Sequence, residues 1–363
     1  MANLDSAPAG LHNSRMTLRP ASPSAAPALA GRTAWIISDG KAGHEAQCLG
    51  VAAALGLNAV IKRVTPSGLY KAVAPWGPVA RRERIGAAGS PFAPPWPAVA
   101  LATGRTTIPY IRALKRKAGP ATFTVILLDP RTAANSADLI WVPEHDRRRG
   151  VNVMSTLTSP HVYSRARLDA LRADLPEAIA ALPQPRVAVL IGGPNRDYRY
   201  GPDDAQRLAA AVGAMARSGA SLMITPSRRT PPELLDAVMR AAVDAPRVVF
   251  TGEGANPYSH FLAAADAFLV TADSVNMACE AAATGRPIYV FRPAGASAKF
   301  DRFHAALEAY GASRLLPEGS APFESWSYAP LDSASAIADE ILTRWRRRVE
   351  MLPGLVGPAP EGA

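Results

Sequence analysis

Short apolar runs, many rich in β-branched residues, alternate along the chain with alanine- and leucine-rich stretches of helical length. Glycine, proline or a polar cluster punctuates most of the changes. The alternation predicts parallel-sheet α/β units, because a strand buried on both faces reads as a continuous apolar run while its covering helix keeps a polar face. In the first half, TAWIIS (33–38), NAVIKRV (58–64), PAVALAT (97–103), FTVILLD (123–129) and ADLIWVP (137–143) predict strands, with helices from about His44 and about Arg105. Residues 67–97 are dense in proline, glycine and arginine, which excludes a continuous helix or central strand and predicts a long surface loop with one short helix.

Around RADLPEAIAALPQP (172–185) helix gives way to prolines, and the alternation restarts. Strands are predicted at 186–193, 220–227, 247–252, 267–271 and 287–291, with helices from Pro202, Pro231, Ser274 and about Lys299 and one near Tyr258. An amphipathic helix over 334–352 closes the chain. The fold class is α/β, two tandem Rossmann-like domains facing a central cleft. The expected organisation is a disordered extension (1–32), a first domain (33–183), a second (184–332), and a C-terminal helix and tail (333–363) packing back on the first domain. The extension is rich in alanine, proline and serine and lacks the makings of a core.

Composition narrows the function classes. The 363 residues suit two domains of ordinary size, and although 48% are hydrophobic, no run approaches the roughly 18 residues of a membrane-spanning helix. Cys48 and Cys279 lie singly in alanine-rich helical stretches, which argues against a structural zinc site and for a reducing compartment, the cytoplasm. Residues 1–183 hold 22 Lys and Arg against 11 Asp and Glu, whereas 184–363 hold 18 against 19. The excess sits in ARRER (80–84), RALKRK (112–117) and RRR (147–149), suggesting an anionic partner such as a membrane surface, against which the cytoplasmic protein would lie peripherally. Nucleic acid is not expected, since no aromatics interleave with these runs as a base-stacking platform requires.

Candidate chemistry collects where strands end, the place where open parallel sheets bind ligands. Strand 33–38 runs into Asp39-Gly40-Lys41-Ala42-Gly43-His44-Glu45, and strand 97–103 into Gly104-Arg105. Strand 186–191 ends in Gly192-Gly193-Pro194-Asn195, where glycine lets backbone approach a ligand and a following helix offers N–H groups to phosphate. Ser227-Arg228-Arg229-Thr230 follows the next strand, and arginine suits bidentate phosphate contact. Thr271-Ala272-Asp273-Ser274 opens a helix ending at Gly285, with Asp273 or Ser274 as its cap and Asn276 and Glu280 on the face of Asp273. A carboxylate among Met277, Ala281 and Thr284 needs donors, and ribose hydroxyls would serve.

Together LIGGPNRDY, TPSRRT and VFTGEGANPYSHFLAAADAFLVTADSVNMACEAAATGRPIYVF resemble the donor half of GT-B glycosyltransferases, the lipid-II-forming N-acetylglucosaminyltransferase among them. More specifically, SDGKAGHEAQCLGVAAALG, SRRT, NPY and VTADSVNMACEAAATGRP resemble the elongated-mitochondria family of mitochondrial-fission proteins and its bacterial relatives, over roughly residues 33–350. The resemblance implies donor contacts from Gly192, Gly193, Asn195, Ser227, Arg228, Asn256, Asp273, Ser274, Asn276 and Glu280. Of these, Glu280 would hold the ribose and Arg228 the leaving diphosphate. It places Gly40, Lys41, Gly43, Gly104 and Arg105 on the acceptor side and His44 at the sugar, with Asp39 and Glu45 as rival bases. Lys41 and Ala42 depart from the small and glycine positions of the peptidoglycan enzyme's loop. The expected activity is metal-independent transfer from a nucleotide sugar, itself the substrate and with no further cofactor, to a hydroxyl acceptor, lipid-linked or in an envelope glycan. The alternative is a scaffold that keeps the nucleotide-binding cleft, as plant relatives are understood to recruit a dynamin-type GTPase to the mitochondrial surface.

Overall fold

The computed structural model describes residues 29–316 and 324–352. The predicted extension lies outside these residues except for its end. There Leu29 is fully buried in the first domain's core, and Gly31 N donates to Gly56 O at 2.8 Å, so 29–32 pack on the first domain and are not a tail.

The first domain carries six parallel strands: β1 (Thr33–Ser38), β2 (Asn58–Arg63), β3 (Val99–Thr103), β4 (Phe123–Leu127), β5 (Leu139–Pro143) and β6 (Val153–Thr156). They are ordered β2-β1-β3-β4-β5-β6. The helices are α1 (Ala42–Ala54), α2 (Gly68–Val73) and α3 (Ile108–Ala118). β1, β3, β4 and β5 are apolar almost throughout because helices cover both faces. β6 went unpredicted: all four of its residues are only half-buried at the sheet's edge, so no apolar run marks it.

The second domain repeats the theme with β7 (Arg186–Ile191), β8 (Ser221–Pro226), β9 (Arg247–Val249), β10 (Ala267–Thr271), β11 (Ile288–Phe291) and β12 (Ser313–Leu315), ordered β12-β11-β10-β7-β8-β9. Counted from β7, this is the Rossmann order 3-2-1-4-5-6. Its helices are α4 (Arg165–Ala173), α5 (Glu177–Ala180), α6 (Pro202–Arg217), α7 (Pro232–Ala241), α8 (Tyr258–Ala264), α9 (Val275–Ala282) and α10 (Ala298–Ala309). α4 and α5 belong here because Leu168, Ile179 and Leu182 join the core of β7 and α8. The chain therefore crosses between domains near residue 157, some 25 residues before the boundary expected at 183/184.

It crosses back near residue 332. There α11 (Ser333–Met351) buries Ile337, Ile341 and Trp345 against α1 and the first sheet. The two crossings lie side by side, with Thr158 Oγ1 and Ser333 Oγ 2.6 Å apart in a buried hydrogen bond.

Candidate active site

Each sheet has a topological switch point, where strand order reverses and the loops leaving two strands diverge to opposite faces. They fall between β1 and β3 in the first domain and between β7 and β10 in the second.

At the first, β1 ends in a tight polar turn. Gly40, at φ +81°, donates its N–H to Ser38 Oγ at 2.9 Å, and Ser38 Oγ in turn donates to Glu45 Oε1 at 2.7 Å. Arg63 on β2 grips both oxygens of Glu45 at 2.8 and 3.0 Å. Arg63 and Ser38 hold the Glu45 carboxyl below its ordinary range, and it is buried. Glu45, expected as a rival base, is thus a structural anion stapling α1 to the sheet.

His44 is differently placed. Its Nδ1 lies 2.9 Å from Asp39 Oδ1, and its side chain keeps about a fifth of its surface. Burial by itself would raise the Asp39 carboxyl, but hydrogen bonds from Lys41 and His44 and their charges outweigh it and hold the group ionised below its usual range. An ionised carboxylate only accepts, so a proton sits on His44 Nδ1, and in the neutral imidazole the Nε2 lone pair is left free. Asp39 is therefore the orienting partner of His44 and not its rival. Lys41 reaches back to Asp39 Oδ2 at 2.8 Å. Gly104, at φ +95°, has no room for a side chain, since a Cβ there would lie 2.8 Å from Asp39 Oδ2 and 3.0 Å from His44 Nδ1. The Arg105 guanidinium binds the carbonyls of Lys71, Ala72 and Ala74 at the end of α2 and lines a cavity together with Gly104.

At the second switch point the glycines are explained by packing. A Cβ at Gly192 would overlap the Asp273 carboxylate, and one at Gly193 the backbone of Arg229. Their amides are already engaged: Gly192 N–H donates to Thr271 Oγ1 at 2.7 Å and Gly193 N–H to Asp273 Oδ2 at 2.9 Å. Asp273 also accepts from Thr271 Oγ1 (2.8 Å), Tyr200 OH (2.5 Å) and Arg229 (3.3 Å), with no side-chain surface left exposed. Neither Asp273 nor Ser274 caps α9 through its side chain. Asp273 is a buried post around which the loop is tied. Asn195 likewise serves its own turn, its Oδ1 accepting from the amides of Asp197 and Tyr198 at 2.8 Å each. α6, expected to offer N–H groups to phosphate, begins only at Pro202 with Asp203 and Asp204 in its first turn, so its N-terminus is unsuited to an anion.

The two arginines of SRRT separate. Arg229 binds the carbonyls of Gly193 and Pro194 as well as Asp273, whereas Arg228 is exposed and takes no hydrogen bond or ion pair among the described residues. Ser227 shares a turn with Thr230 at 3.1 Å. Asn256 accepts from Tyr258 N–H at 3.0 Å and so starts α8.

α9 faces α1 across the cleft. Asn276 Nδ2 stands 3.4 Å from where a Cβ on Gly43 would be. A cavity of about 30 Å³ lies between the helices, lined among others by Gly43, Gln47, His161, Asn276 and Glu280. Gln47 Oε1 and His161 Nε2 are buried there without partners. Glu280 accepts from Tyr258 OH, so the protein itself supplies a donor where ribose hydroxyls are expected. Burial raises the Glu280 carboxyl to about 7, with the Tyr258 hydrogen bond offsetting only part of that rise. Sequence reasoning missed Tyr200, Thr271 and Arg229 as the ties of Asp273, and Gln47 and His161 in the cleft. Only the repeated arginine of SRRT hinted at any of them.

A Rossmann-ordered second domain, a six-stranded partner sheet, a polar cleft between their switch points and a final helix returning to the first domain define a two-domain α/β protein of GT-B type. Among solved structures, similar chain paths occur in the UDP-GlcNAc 2-epimerase of Methanocaldococcus jannaschii (TM-score 0.49, 11% identity, 86% of this chain and 99% of that one). Acinetobacter baumannii MurG is another (0.44, 14%, 89% and 94%). The chain belongs to the mitochondrial fission ELM1 family, whose signature it matches over residues 42–345. It is 31% identical over 277 residues to the mitochondrial fission protein ELM1 of Arabidopsis thaliana, covering 70% of this chain and 64% of that protein. It is also 31% identical over 160 residues to the uncharacterized protein RP120 of Rickettsia prowazekii, covering 42% and 45%. The match thus spans less than two thirds of either relative's length.

Proposed function

We propose that the cleft transfers a glycosyl group from a nucleotide sugar to an acceptor hydroxyl without a metal. The observation that carries this reading is the His44–Asp39 pair, an imidazole held through Nδ1 at the first switch point with no hydrogen bond to Nε2 among the described residues. In this reading Nε2 takes the acceptor's proton as the hydroxyl attacks the anomeric carbon. Arg228, the unengaged cation of the facing loop, meets the departing diphosphate. Glu280 and Asn276 on α9 contact the nucleoside. No helix among the described residues is long and apolar enough to cross a membrane. The acceptor is proposed to reach the protein in the cytoplasm or at the inner face of the cytoplasmic membrane.

A thermal-shift panel of UDP-, GDP-, ADP- and CMP-sugars tests the donor site. At least one should raise the melting midpoint of the wild type and fail to do so for Arg228→Ala; no shift with any of them overturns the reading. With the donor found, His44→Ala should lower turnover by about 10²–10⁴-fold while sparing donor binding.

One observation favours the non-catalytic scaffold as second reading. The Gly192 and Gly193 amides and the start of α6 are occupied internally, so the second loop offers a diphosphate little beyond Arg228. Binding of a nucleotide sugar with no transfer to any hydroxyl acceptor would select it.

A further inference from the structure

The first domain carries a second concave feature that the transfer reading leaves unused. Between α3 and the segment after α2 lies a groove of about 650 Å³ lined by Arg81, Arg84, Arg112, Arg116 and Lys117 and by no carboxylate. The surrounding chain from residue 64 to 122 holds nine Lys and Arg and a single acid, Glu83. That acid is turned inward, accepting from Thr65 N–H and Tyr110 OH. The side chains of Arg81, Arg84, Arg116 and Lys117 take no ion pair or hydrogen bond among the described residues. Unpaired like charges gathered in one concavity repel one another, an arrangement relieved by an anion.

The rim is apolar and held outward. Leu69 is 74% exposed and Trp76 66%. Neither sits on a slack loop: Arg105 binds the carbonyls of Lys71, Ala72 and Ala74, and Arg112 those of Pro75 and Trp76. A soluble phosphate would gain nothing from Leu69, and a nucleic-acid backbone needs a longer basic track. Phosphate headgroups beneath a layer of acyl chains satisfy both halves of the site.

We propose that this groove docks the protein on a bilayer carrying anionic phospholipids, with a headgroup phosphate among Arg81, Arg84, Arg116 and Lys117 and with Leu69 and Trp76 entering the interface. Trp76 also lines a neighbouring cavity of about 330 Å³ that extends to Gly104, against which Asp39 and His44 pack. Docking therefore sets the acceptor side of the cleft at the lipid surface. The docking itself does not depend on the transfer reading.

Flotation of the full chain with vesicles tests it. At about 0.1 M salt the protein should float with phosphatidylcholine vesicles containing phosphatidylglycerol and stay behind with phosphatidylcholine alone, and high salt should release it. Each cation near an anionic surface strengthens partition about fivefold, so Arg84→Gln/Arg116→Gln should weaken binding about 25-fold. Arg346→Gln/Arg347→Gln, on the opposite face of the sheet, removes the same charge and should change binding less than twofold. Trp76→Ala should also weaken it, with the melting midpoints of all variants near wild type. The proposal is overturned if no variant or wild-type protein floats with anionic vesicles, or if the two double variants lose binding equally, which would indicate net charge alone. It also fails if inorganic phosphate binds the groove while vesicles do not. None of these readings involves a nucleotide sugar, so donor-site failure leaves them intact.

Discussion

Replacing Glu280 by glutamine should stabilise the unliganded protein, by an amount that depends on pH in a defined direction. Burial against α1 raises the Glu280 carboxyl from an ordinary 4.5 to about 7. The folded protein therefore holds this proton more tightly than the unfolded chain, and the resulting stability is complete below about 4.5 and lost as pH rises through about 7. The interval corresponds to ~3 kcal/mol. Glutamine carries the neutral form at every pH and still accepts from Tyr258 OH. Wild type and Glu280→Gln should then melt together near pH 4.5 and separate by about 5 °C above pH 7.5, with the variant higher. Burial pushes the Tyr163 and Tyr258 hydroxyls up, lifts the Cys279 thiol to about 12, and lowers His161. The assay is differential scanning fluorimetry of both proteins across pH 4.5 to 8.5, read as the difference between them. A difference that does not change with pH, or a variant less stable at pH 8, would refute the reasoning that Glu280 is a half-buried acid whose charge Tyr258 only partly compensates.

Asp273→Ala leaves the Arg229 guanidinium, the Gly193 amide and Tyr200 OH without their shared acceptor, and should cost ~3–5 kcal/mol; a loss under 1 kcal/mol in denaturant unfolding would show that the loop is tied elsewhere. Trp345→Ala empties the space that α11 fills against the first sheet and should cost ~3–5 kcal/mol. The loss should appear in the first domain's transition, which hydrogen exchange of β1 and α1 amides would resolve.

What the sequence revealed and what it hid follow from burial. β1, β7 and β10 were legible because both faces are covered, so they are apolar almost throughout. β6 and the three-residue β12 were not, because edge strands half open to water carry mixed residues. The early domain crossing was hidden because Leu168 and Ile179 are ordinary amphipathic-helix residues that indicate burial without saying against which sheet. Arg228 and Arg229 are chemically identical neighbours. Only the backbone direction after β8 decides that one ties the loop and the other faces outward. Asp273 shows the same limit, since a carboxylate before a helix reads as a cap unless the amides of a distant glycine loop are known to reach it.

The choice between transfer and scaffold turns on whether the cleft opens. As it stands, α1 and α9 meet at Gly43 and Asn276 around a space of about 30 Å³, large enough for about one water and far too small for a nucleotide. A donor seated between these two helices would need them to part. The fold supplies paired crossings for that motion, near residues 157 and 332, joined through Thr158 and Ser333. Two of the contacts that hold the cleft shut elsewhere are exposed: Lys299 with Asp146 at 3.0 Å, and Arg302 with the carbonyl of His145. Surface pairs of this kind are worth ~0–1 kcal/mol each, whereas a micromolar nucleotide sugar supplies about 8 kcal/mol. Gln47 Oε1 and His161 Nε2, buried without partners in the closed cleft, lower the cost of opening further, because both regain hydrogen bonds when water or a ligand enters. The closed cleft is thus compatible with a donor site that forms on opening, and the weaker element of the transfer proposal is the second loop, where the glycine amides are engaged internally and the Arg228 side chain is left without a partner among the described residues.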